Sequence, residues 1–408
     1  MKFITNVDIS LFDQFVRNSP YNHYMKTSIW ADYQKQHGFK PYFVGVEDNG
    51  KLIATALILE NKIPIFGKYQ YIPWGPCLDY SNQELLNFLL TNLKKFAQEH
   101  RVMFMRLDTN IQRVSRDILG KQIAGINNEY LTEMINQAGF IHKGYGYGYD
   151  GSWANRYTLI IDIKPELEII LQNFNKPRQQ ALKRHNLIGV TTRTGTKQDL
   201  THLVRFEKEL SAKMHFKPHS IEFFSNLIKQ LKPYSHFYVT EIDINQAINF
   251  ITEELSSNKY NKDPEAKASK AKELNLFKQL QLEYGDIIPL AAGIFMYYGN
   301  KSWDLYAYSA KDFPMFKVTD NLHYHAIREM KSLGVKYYDM VGFSGKTNRE
   351  DEYYGLYDYK SSFGSEFIEY LGEFNYLNKP RKYQLYRKYL RYYYKVKRKV
   401  NRFLYKKK

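Results

Sequence analysis

A lysine and neighbouring tyrosines near the carboxyl end of the sequence form a segment that could hold an anionic group. Residues 337–373 read as a strand, a glycine-rich turn, a charged loop and then a basic, aromatic segment. Gly342 and Gly345 permit a sharp turn at the strand end, because glycine adopts backbone conformations that a side chain forbids. Tyr359 and Lys360 bring an aromatic face and an ammonium together, which suits a phosphate or a developing oxyanion. A solvated loop followed by an aromatic edge strand is the alternative interpretation.

The same segment resembles the carboxyl-terminal signature of the Fem family of peptidoglycan aminoacyltransferases, which build interpeptide bridges. Members carry a strand that ends in G-x-S-G-K, a charged loop and a G-(L/V)-(Y/V)-x-(F/Y)-K segment. The matching residues are Gly342, Ser344, Gly345, Lys346, Gly355, Leu356, Tyr357, Tyr359 and Lys360. YIPWGPCLDY (71–80) is also similar to the family, with Trp74 in place of the usual Arg. In MFMRLDTN (103–110), Asp108 matches the family and Thr109 replaces its Pro.

The resemblance implies transfer of an aminoacyl group from its tRNA ester to the stem-peptide amine of a peptidoglycan precursor, either lipid-linked or nucleotide-linked. An aminoacyl ester is already activated, so the reaction requires no cofactor, metal or ATP. The protein has to align the amine with the ester, relay a proton and stabilise a tetrahedral oxyanion. Gly, Ala and Ser are the candidate amino acids, and the sequence does not choose among them.

The resemblance also implies roles for individual residues. We expect Lys360 to contact the oxyanion or the 3′-terminal phosphate, Tyr359 to act as a stacking platform, and Asp108 to serve as a base or to position the amine. The substrate-binding candidates are Lys35, His219, Phe223, Tyr306, Gly345 and Tyr357. His219 and Phe223 stand where many members have Arg and Tyr, and a neutral His cannot make the bidentate phosphate contacts of Arg.

Several of these residues have a purely structural alternative. The alternative for Lys360 is a surface lysine whose stem covers apolar neighbours, and the alternative for Asp108 is a cap on the segment that follows its strand. Tyr306 lies at the centre of a predicted strand and could be a core residue. The predicted contacts with tRNA or membrane, for which a solvated basic face is the alternative, are Arg178, Lys183, Arg184, Lys397 and Arg398.

The net charge of +17 is concentrated in the tail of the chain. Residues 379–408 contain 14 Lys or Arg and no Asp or Glu, so the rest of the chain carries only +3. Apolar and aromatic residues recur there at helical spacing: Tyr386, Tyr389, Tyr393, Val396, Val400 and Phe403. Such a basic amphipathic helix fits an anionic membrane surface or RNA phosphates, and the alternative is a helix docked on the body of the protein by its stripe.

Composition narrows the class of protein. Cys77 is the single cysteine, which excludes an intrachain disulfide and a cysteine-based zinc or iron–sulfur site. The sequence starts without the apolar run of a signal peptide, and its longest apolar runs are shorter than the ~18–20 residues of a membrane-spanning helix. We therefore expect a cytoplasmic protein, with peripheral attachment to the inner face of the plasma membrane as an open alternative.

The order of predicted elements indicates an α/β (α+β) fold in which one unit is used twice. Each half reads as strand, turn, strand, helix and apolar strand, and the resemblance implies that both are acetyltransferase-like (GNAT) domains. We predict the first domain over 1–155 and the second over 156–242 and 287–375. Two helical stripes around a polar turn predict an inserted antiparallel hairpin over 243–286, and 376–408 form the basic tail.

Three other functions compete with aminoacyl transfer. Acyl-CoA-dependent acetylation is disfavoured because the phosphate loop of acetyltransferases has no good match here. A non-catalytic protein that binds RNA or a membrane through its tail is a second alternative. An aminoacyl-tRNA–protein transferase is the third, and it differs only in the acceptor. The oligomeric state cannot be predicted from these features.

Overall fold

The computed structural model describes residues 1–149, 153–214, 216–313 and 316–405, with side-chain surroundings for all of these except Tyr394 and 397–405. They divide into two compact units. The first unit comprises Met1–Tyr157, Ser344–Lys346 and Ile368–Lys408, and the second comprises Thr158–Phe343 and Thr347–Phe367. Strands and helices alternate through both units, which confirms the predicted α/β class.

The first unit contains a mixed sheet. Its hydrogen-bonded order is Lys2–Ile4, Lys40–Asp48, Lys51–Ile63, Gly67–Ile72, Phe104–Leu107, Phe374–Leu377 and Ile141–His142, with Cys77–Leu78 also paired to Lys51–Ile63. Gln112–Arg116 pairs separately with Gln122–Asn127 and with Ile368 and Tyr370. The helices are Ile9–Asn18, Ser28–Lys35, Gln83–Glu99, Glu129–Gln137 and Pro380–Tyr405.

One helix contributes a continuous apolar face to the core of the first unit. Asn82 caps Gln83–Glu99 by accepting a 3.0 Å hydrogen bond from the Leu85 backbone N–H. Leucines then recur every three or four residues, so one face of the helix is apolar and buried against the sheet. The helix connects Gly67–Ile72 to Phe104–Leu107, which are parallel neighbours and therefore need such a crossover.

The second unit repeats this arrangement. Its strands lie in the order Val190–Thr194, Ser235–Asp243, Ile287–Tyr298, Lys301–Ser309, Tyr337–Phe343 and Tyr157–Asp162. Thr319–Ser332 is the crossover helix between the parallel strands Lys301–Ser309 and Tyr337–Phe343. The other helices are Leu167–Asn173, Lys176–Leu187, Leu200–Met214, Ile221–Gln230, Ile244–Ser256, Pro264–Tyr284 and Tyr354–Ser361.

A helical hairpin stands at the predicted place in the second unit. Its helices, Ile244–Ser256 and Pro264–Tyr284, bury part of each predicted stripe: Ile244, Ala247 and Ile251 on the first helix, and Phe277 and Leu280 on the second. Gln281 donates a 2.7 Å hydrogen bond to Asn245, so the end of one helix lies beside the start of the other, as an antiparallel pair requires. Phe277 stacks on Phe316 at 5.9 Å and anchors the hairpin to its own unit.

Two segments differ from the sequence-based expectation. The segment that begins at Tyr354 is a helix to Ser361 and not an edge strand. Residues 368–375, assigned from the sequence to the second domain, belong to the first unit, because Phe374–Leu377 pairs with Phe104–Leu107. Glu369, in the same segment, is fully buried and forms ion pairs with Arg113, Arg116 and Arg156 of the first unit.

The carboxyl-terminal helix, Pro380–Tyr405, packs on the first unit through its first turns. Tyr383 contacts Phe104 with ring centroids 5.1 Å apart, and Tyr386 contacts Phe66 at 5.3 Å. Lys397 and Arg398 continue the same helix, but their side chains fall outside the described part, as do those of Val400 and Phe403. Within the described ranges, no helix is both long and apolar enough to cross a bilayer.

Candidate functional site

The strand Tyr337–Phe343 ends in a distorted backbone. Val341 has φ +61°, a left-handed conformation that is strained for a β-branched residue. Asp339 holds this conformation, since its carboxylate accepts a 2.7 Å hydrogen bond from the Val341 backbone N–H and another from the Thr158 hydroxyl. Strain of this kind is concentrated at functional sites, where the surrounding structure maintains it.

Lys360 lies against this distorted strand end. It is on the helix Tyr354–Ser361, is 8 % exposed, and donates hydrogen bonds of 3.0 Å to the carbonyl oxygens of both Val341 and Gly342. The interpretation of Lys360 as a snorkelling surface lysine is therefore wrong. A buried ammonium bound to two carbonyls fixes the strand end and concentrates positive charge there.

Two carboxyl groups act electrostatically on the buried ammonium. Burial lowers the pKa of Lys360, and the negative charges of Asp304 and Asp339 oppose that shift. Burial raises the pKa of Asp304 to about 7, although the Lys360 charge lowers it. His323, also buried, has its pKa lowered to about 3 by desolvation, so its ring is neutral. The charges of Asp304 and Asp339 thus both favour the protonated form of the Lys360 amine.

Tyr359 and Arg178 form a separate buried contact. The Arg178 guanidinium lies 4.4 Å from the Tyr359 ring centroid and 4.0 Å from that of Phe363, and it is ion-paired with Asp320. Arg178 is therefore a buried structural cation, which contradicts its prediction as a surface contact for tRNA or membrane. Tyr359 already has a planar cation against its ring, so its predicted role as a stacking platform stays a proposal.

The glycine turn after the strand is closely packed. Gly345 has φ +77°, and a Cβ atom placed on it would lie 2.4 Å from the Tyr157 ring. Only glycine fits this position without displacing a buried tyrosine. Tyr357 is also buried and packs on Phe343 at 5.8 Å, so both predicted substrate-binding residues serve packing in this structure.

Asp108 lies in the first unit, at the end of a buried strand. It is 2 % exposed and accepts a hydrogen bond from the Tyr71 hydroxyl. Burial raises the pKa of Asp108 to about 7, against the lowering effect of the Tyr71 hydrogen bond. A carboxyl group with this pKa is suited to proton transfer near neutral pH, but its partner in the structure is Tyr71.

The raised pKa of Asp108 predicts a pH-dependent stability. The folded chain binds the proton of Asp108 more tightly than the unfolded chain does. Protonation of Asp108 therefore stabilises the fold fully at pH values below the pKa of Asp108 in the unfolded chain, and this stabilisation is lost as pH rises toward about 7. Asp108→Asn cannot ionise. Its free energy of unfolding relative to wild type should rise by up to about 4 kcal/mol between pH 4 and pH 7.

Urea unfolding at several pH values measures this difference. The exposed residue Asp312 supplies the control, since the difference between Asp312→Asn and wild type should stay flat over the same range. If the stability difference between Asp108→Asn and wild type did not change with pH, the pKa of Asp108 would be the same in the folded and unfolded chains. Burial would then not raise that pKa, which would contradict the prediction.

A second cluster of polar and aromatic side chains contains three predicted residues. His219 binds the buried Glu207 twice, through Nδ1 at 2.6 Å and through its backbone N–H at 2.7 Å. Phe223 stacks on the His219 ring at 4.1 Å, and Tyr306 meets that ring edge-on at 5.5 Å. The structure thus brings His219, Phe223 and Tyr306 together, and Glu207 orients the imidazole.

The remaining predicted contacts lie on the surface. Lys35 is exposed and forms a 2.7 Å ion pair with Asp32 on its own helix. Lys183 is exposed, whereas Arg184 is ion-paired with Glu273 of the helical hairpin. Separately, a groove of about 830 Å³ in the first unit is lined by residues such as Leu11, Phe15 and Ile53, and none of the predicted site residues lines it.

Sequence reasoning missed the acidic partners of the site. Asp339 and Glu207 are buried and Asp304 is partly buried, and none of the three was singled out from the sequence. A signal was available for the two aspartates, because each interrupts a predicted apolar strand, WDLYAYS or YYDMVG, where a charged residue needs a partner. Among the described residues, no cluster of His, Cys, Asp and Glu has the geometry to hold a metal ion.

Comparison with known proteins identifies one family over most of the chain. The model of the FemAB family matches residues 8–390. The aminoacyltransferase FemA of Staphylococcus aureus (strain bovine RF122 / ET3-1) is 26% identical over 415 residues, covering 93% of this chain and 96% of FemA. FemA of S. aureus strain MW2 gives the same identity and coverage.

Solved structures agree on the fold. The crystal structure of FemX superimposes with a TM-score of 0.80 at 22% identity, covering 94% of this chain and 99% of FemX. A conserved protein of unknown function from Bacteroides thetaiotaomicron gives a TM-score of 0.51 at 10% identity, covering 92% of this chain and 98% of that one. At these identities, the likeness concerns the fold.

Proposed function

Because the chain belongs to the FemAB family, we propose that it transfers Gly, Ala or Ser from its tRNA to the stem-peptide amine of a lipid-linked peptidoglycan precursor. Family membership makes the chain a tRNA-dependent aminoacyltransferase that acts in peptidoglycan bridge formation. The amino acid and the form of the acceptor are the parts of the proposal that go beyond the family.

The observation that carries the proposal is the buried ammonium of Lys360 at the distorted strand end. It lies within the segment that resembles the Fem signature, and two carbonyl oxygens hold it in place. Removal from water strengthens the electrostatic interaction of a charge with its neighbours. A buried ammonium therefore stabilises a developing anion more strongly than an ammonium on the surface does.

The reaction needs such a charge at one stage. The acceptor amine attacks the ester carbonyl carbon, and a tetrahedral oxyanion forms. Collapse of this intermediate breaks the bond between that carbon and the ribose oxygen, which finally receives the proton that the amine loses. We propose that Lys360 stabilises the oxyanion, while the carbonyl oxygens of Val341 and Gly342 hold the ammonium in position.

The precursor is proposed to bind near the cluster around His219. Phe223 and Tyr306 supply apolar faces there, and His219 supplies a polar tip whose other ring nitrogen is bound to Glu207. Lys35, on the first unit, is the proposed phosphate contact, since its side chain is exposed. Asp108 is proposed to position the amine together with Tyr71, to which it is bound.

The experiment offers the purified protein separate tRNAs charged with Gly, Ala, Ser or Phe, together with the lipid-linked or the nucleotide-linked precursor. We expect the precursor to gain one small amino acid from one of the first three tRNAs, with the lipid-linked form preferred. Transfer of Phe as fast as that of the small amino acids would contradict the proposed donor class. Preference for the nucleotide-linked form would contradict the proposed acceptor.

A further inference from the structure

The carboxyl-terminal helix has an exposed apolar stripe beside a cationic face. Leu385, Tyr392 and Val396 are 61 %, 69 % and 41 % exposed, and their spacings of seven and four residues place them on one side of the helix. Exposed basic residues occupy the adjacent face: Arg387, Lys388, Arg391 and Lys395. No Asp or Glu occurs anywhere in residues 379–408.

The ring contacts that attach the helix to the first unit come from other residues. Tyr383 packs on Phe104, and Tyr386 and Tyr389, which belong to the stripe predicted from the sequence, pack on Phe66. Tyr392 and Val396 also lie beyond residue 390, where the match to the family model ends. These two exposed residues are thus explained neither by the attachment of the helix nor by the family match.

A second exposed apolar residue lies next to the helix. Ile65 is 93 % exposed at the tip of a hairpin and has φ +69°, so it has backbone strain without any gain from burial. The next residue, Phe66, contacts Tyr389 on the helix with ring centroids 5.4 Å apart. The hairpin tip and the helix stripe therefore adjoin each other.

We propose that this surface, formed by Ile65 and the exposed face of Pro380–Tyr405, binds the surface of an anionic lipid bilayer. A helix with an apolar stripe, flanking cations and no acidic residue lies in the plane of such an interface, with its stripe among the acyl chains. Tyrosine is favoured at the headgroup level, and Lys and Arg are attracted by the negative surface potential.

Ile65 is the reason to prefer a bilayer over RNA as the occupant. RNA phosphates would be bound by the cationic face alone, and an isolated apolar tip adds nothing to that interaction. A bilayer uses both components, since insertion of apolar groups and attraction of cations act together. The proposal does not depend on aminoacyl transfer, although it would bring the protein to a lipid-linked acceptor.

Vesicle sedimentation of the full chain tests the proposal, with phosphatidylcholine vesicles that contain or lack phosphatidylglycerol. Three variants address the surface: Ile65→Asn, the pair Tyr392→Ser and Val396→Ser, and the triple change Lys388→Gln, Arg391→Gln and Lys395→Gln. A matched control neutralises three exposed lysines elsewhere: Lys51→Gln, Lys121→Gln and Lys229→Gln. All changes are at exposed positions, and thermal melting verifies that each variant is folded.

We expect wild type to bind the anionic vesicles, with each surface variant weakened about tenfold or more and the control by about twofold at most. Asn tolerates the left-handed backbone, so Ile65→Asn should lose binding without losing stability. The proposal is overturned if wild type does not bind, or if only the lysine and arginine changes matter. In the latter case, equal loss of tRNA binding in the triple variant would identify RNA as the occupant.

Discussion

Replacing Lys360 by Met is expected to lower the rate of aminoacyl transfer by about a hundredfold or more at saturating tRNA and precursor. The substitution keeps most of the side-chain volume and removes the charge that the oxyanion requires. Because the interaction is made in the transition state, kcat should fall and KM should change little. Single-turnover transfer from charged tRNA measures the effect without the contribution of product release.

The same substitution leaves carboxyl groups without their cation, which by itself costs stability. Removing one partner of a buried ionic group typically costs about 3–5 kcal/mol, since the remaining charge stays buried. The double variant Lys360→Met, Asp304→Asn removes one of those carboxylates and should recover part of the lost stability. We expect its transfer rate to remain as low as that of Lys360→Met.

These two variants separate a catalytic role from a structural one. If the double variant regained both stability and rate, Lys360 would act only by holding the strand end. A fall in rate of less than threefold in Lys360→Met would remove Lys360 from the mechanism altogether.

Gly345→Ala is expected to destabilise the first unit by about 3 kcal/mol or more. The new Cβ would meet the Tyr157 ring at 2.4 Å, and Ala would have to adopt a φ of +77°. Overpacking and left-handed strain each cost about 1–3 kcal/mol. Tyr157 is itself buried, so its ring cannot simply move into solvent.

Gly355→Ala provides the matched control. Gly355 lies in the same signature segment, but no atom lies within 4 Å of a Cβ placed there, and it is part of the helix Tyr354–Ser361. Ala is a better helix former than Gly, so this variant should be unchanged or more stable by up to about 1 kcal/mol. Equal melting temperatures for the two variants would contradict the packing argument for Gly345.

Local patterns in the sequence predicted much of the fold. The Asn49-Gly50 dipeptide between two apolar runs indicates a hairpin, because that dipeptide adopts the turn such hairpins need, and the structure has the hairpin of Lys40–Asp48 and Lys51–Ile63. The stripes of 243–286 predicted two helices, and both are present. In each case, the residues that determine the element are neighbours along the chain.

Long-range pairing was not predictable in the same way. The return of Phe374–Leu377 to the first unit depends on strand partners more than 260 residues earlier, which no local pattern encodes. Arg178 reads as part of a basic surface helix because its partners, Asp320 and Tyr359, are distant in sequence. Lys360 was identified through resemblance, but its burial against the carbonyls of Val341 and Gly342 required the three-dimensional arrangement.

The origin of the transferred group is the most direct measurement to make. Wild-type protein is incubated with precursor, with tRNA carrying an isotopically labelled small amino acid, and with an excess of the same amino acid, unlabelled and free. We predict that the label appears in an amide on the stem peptide and that Lys360→Met abolishes most of it. Label that remains on tRNA, or a precursor that stays unmodified with every charged tRNA, would contradict tRNA-dependent aminoacyl transfer by this protein.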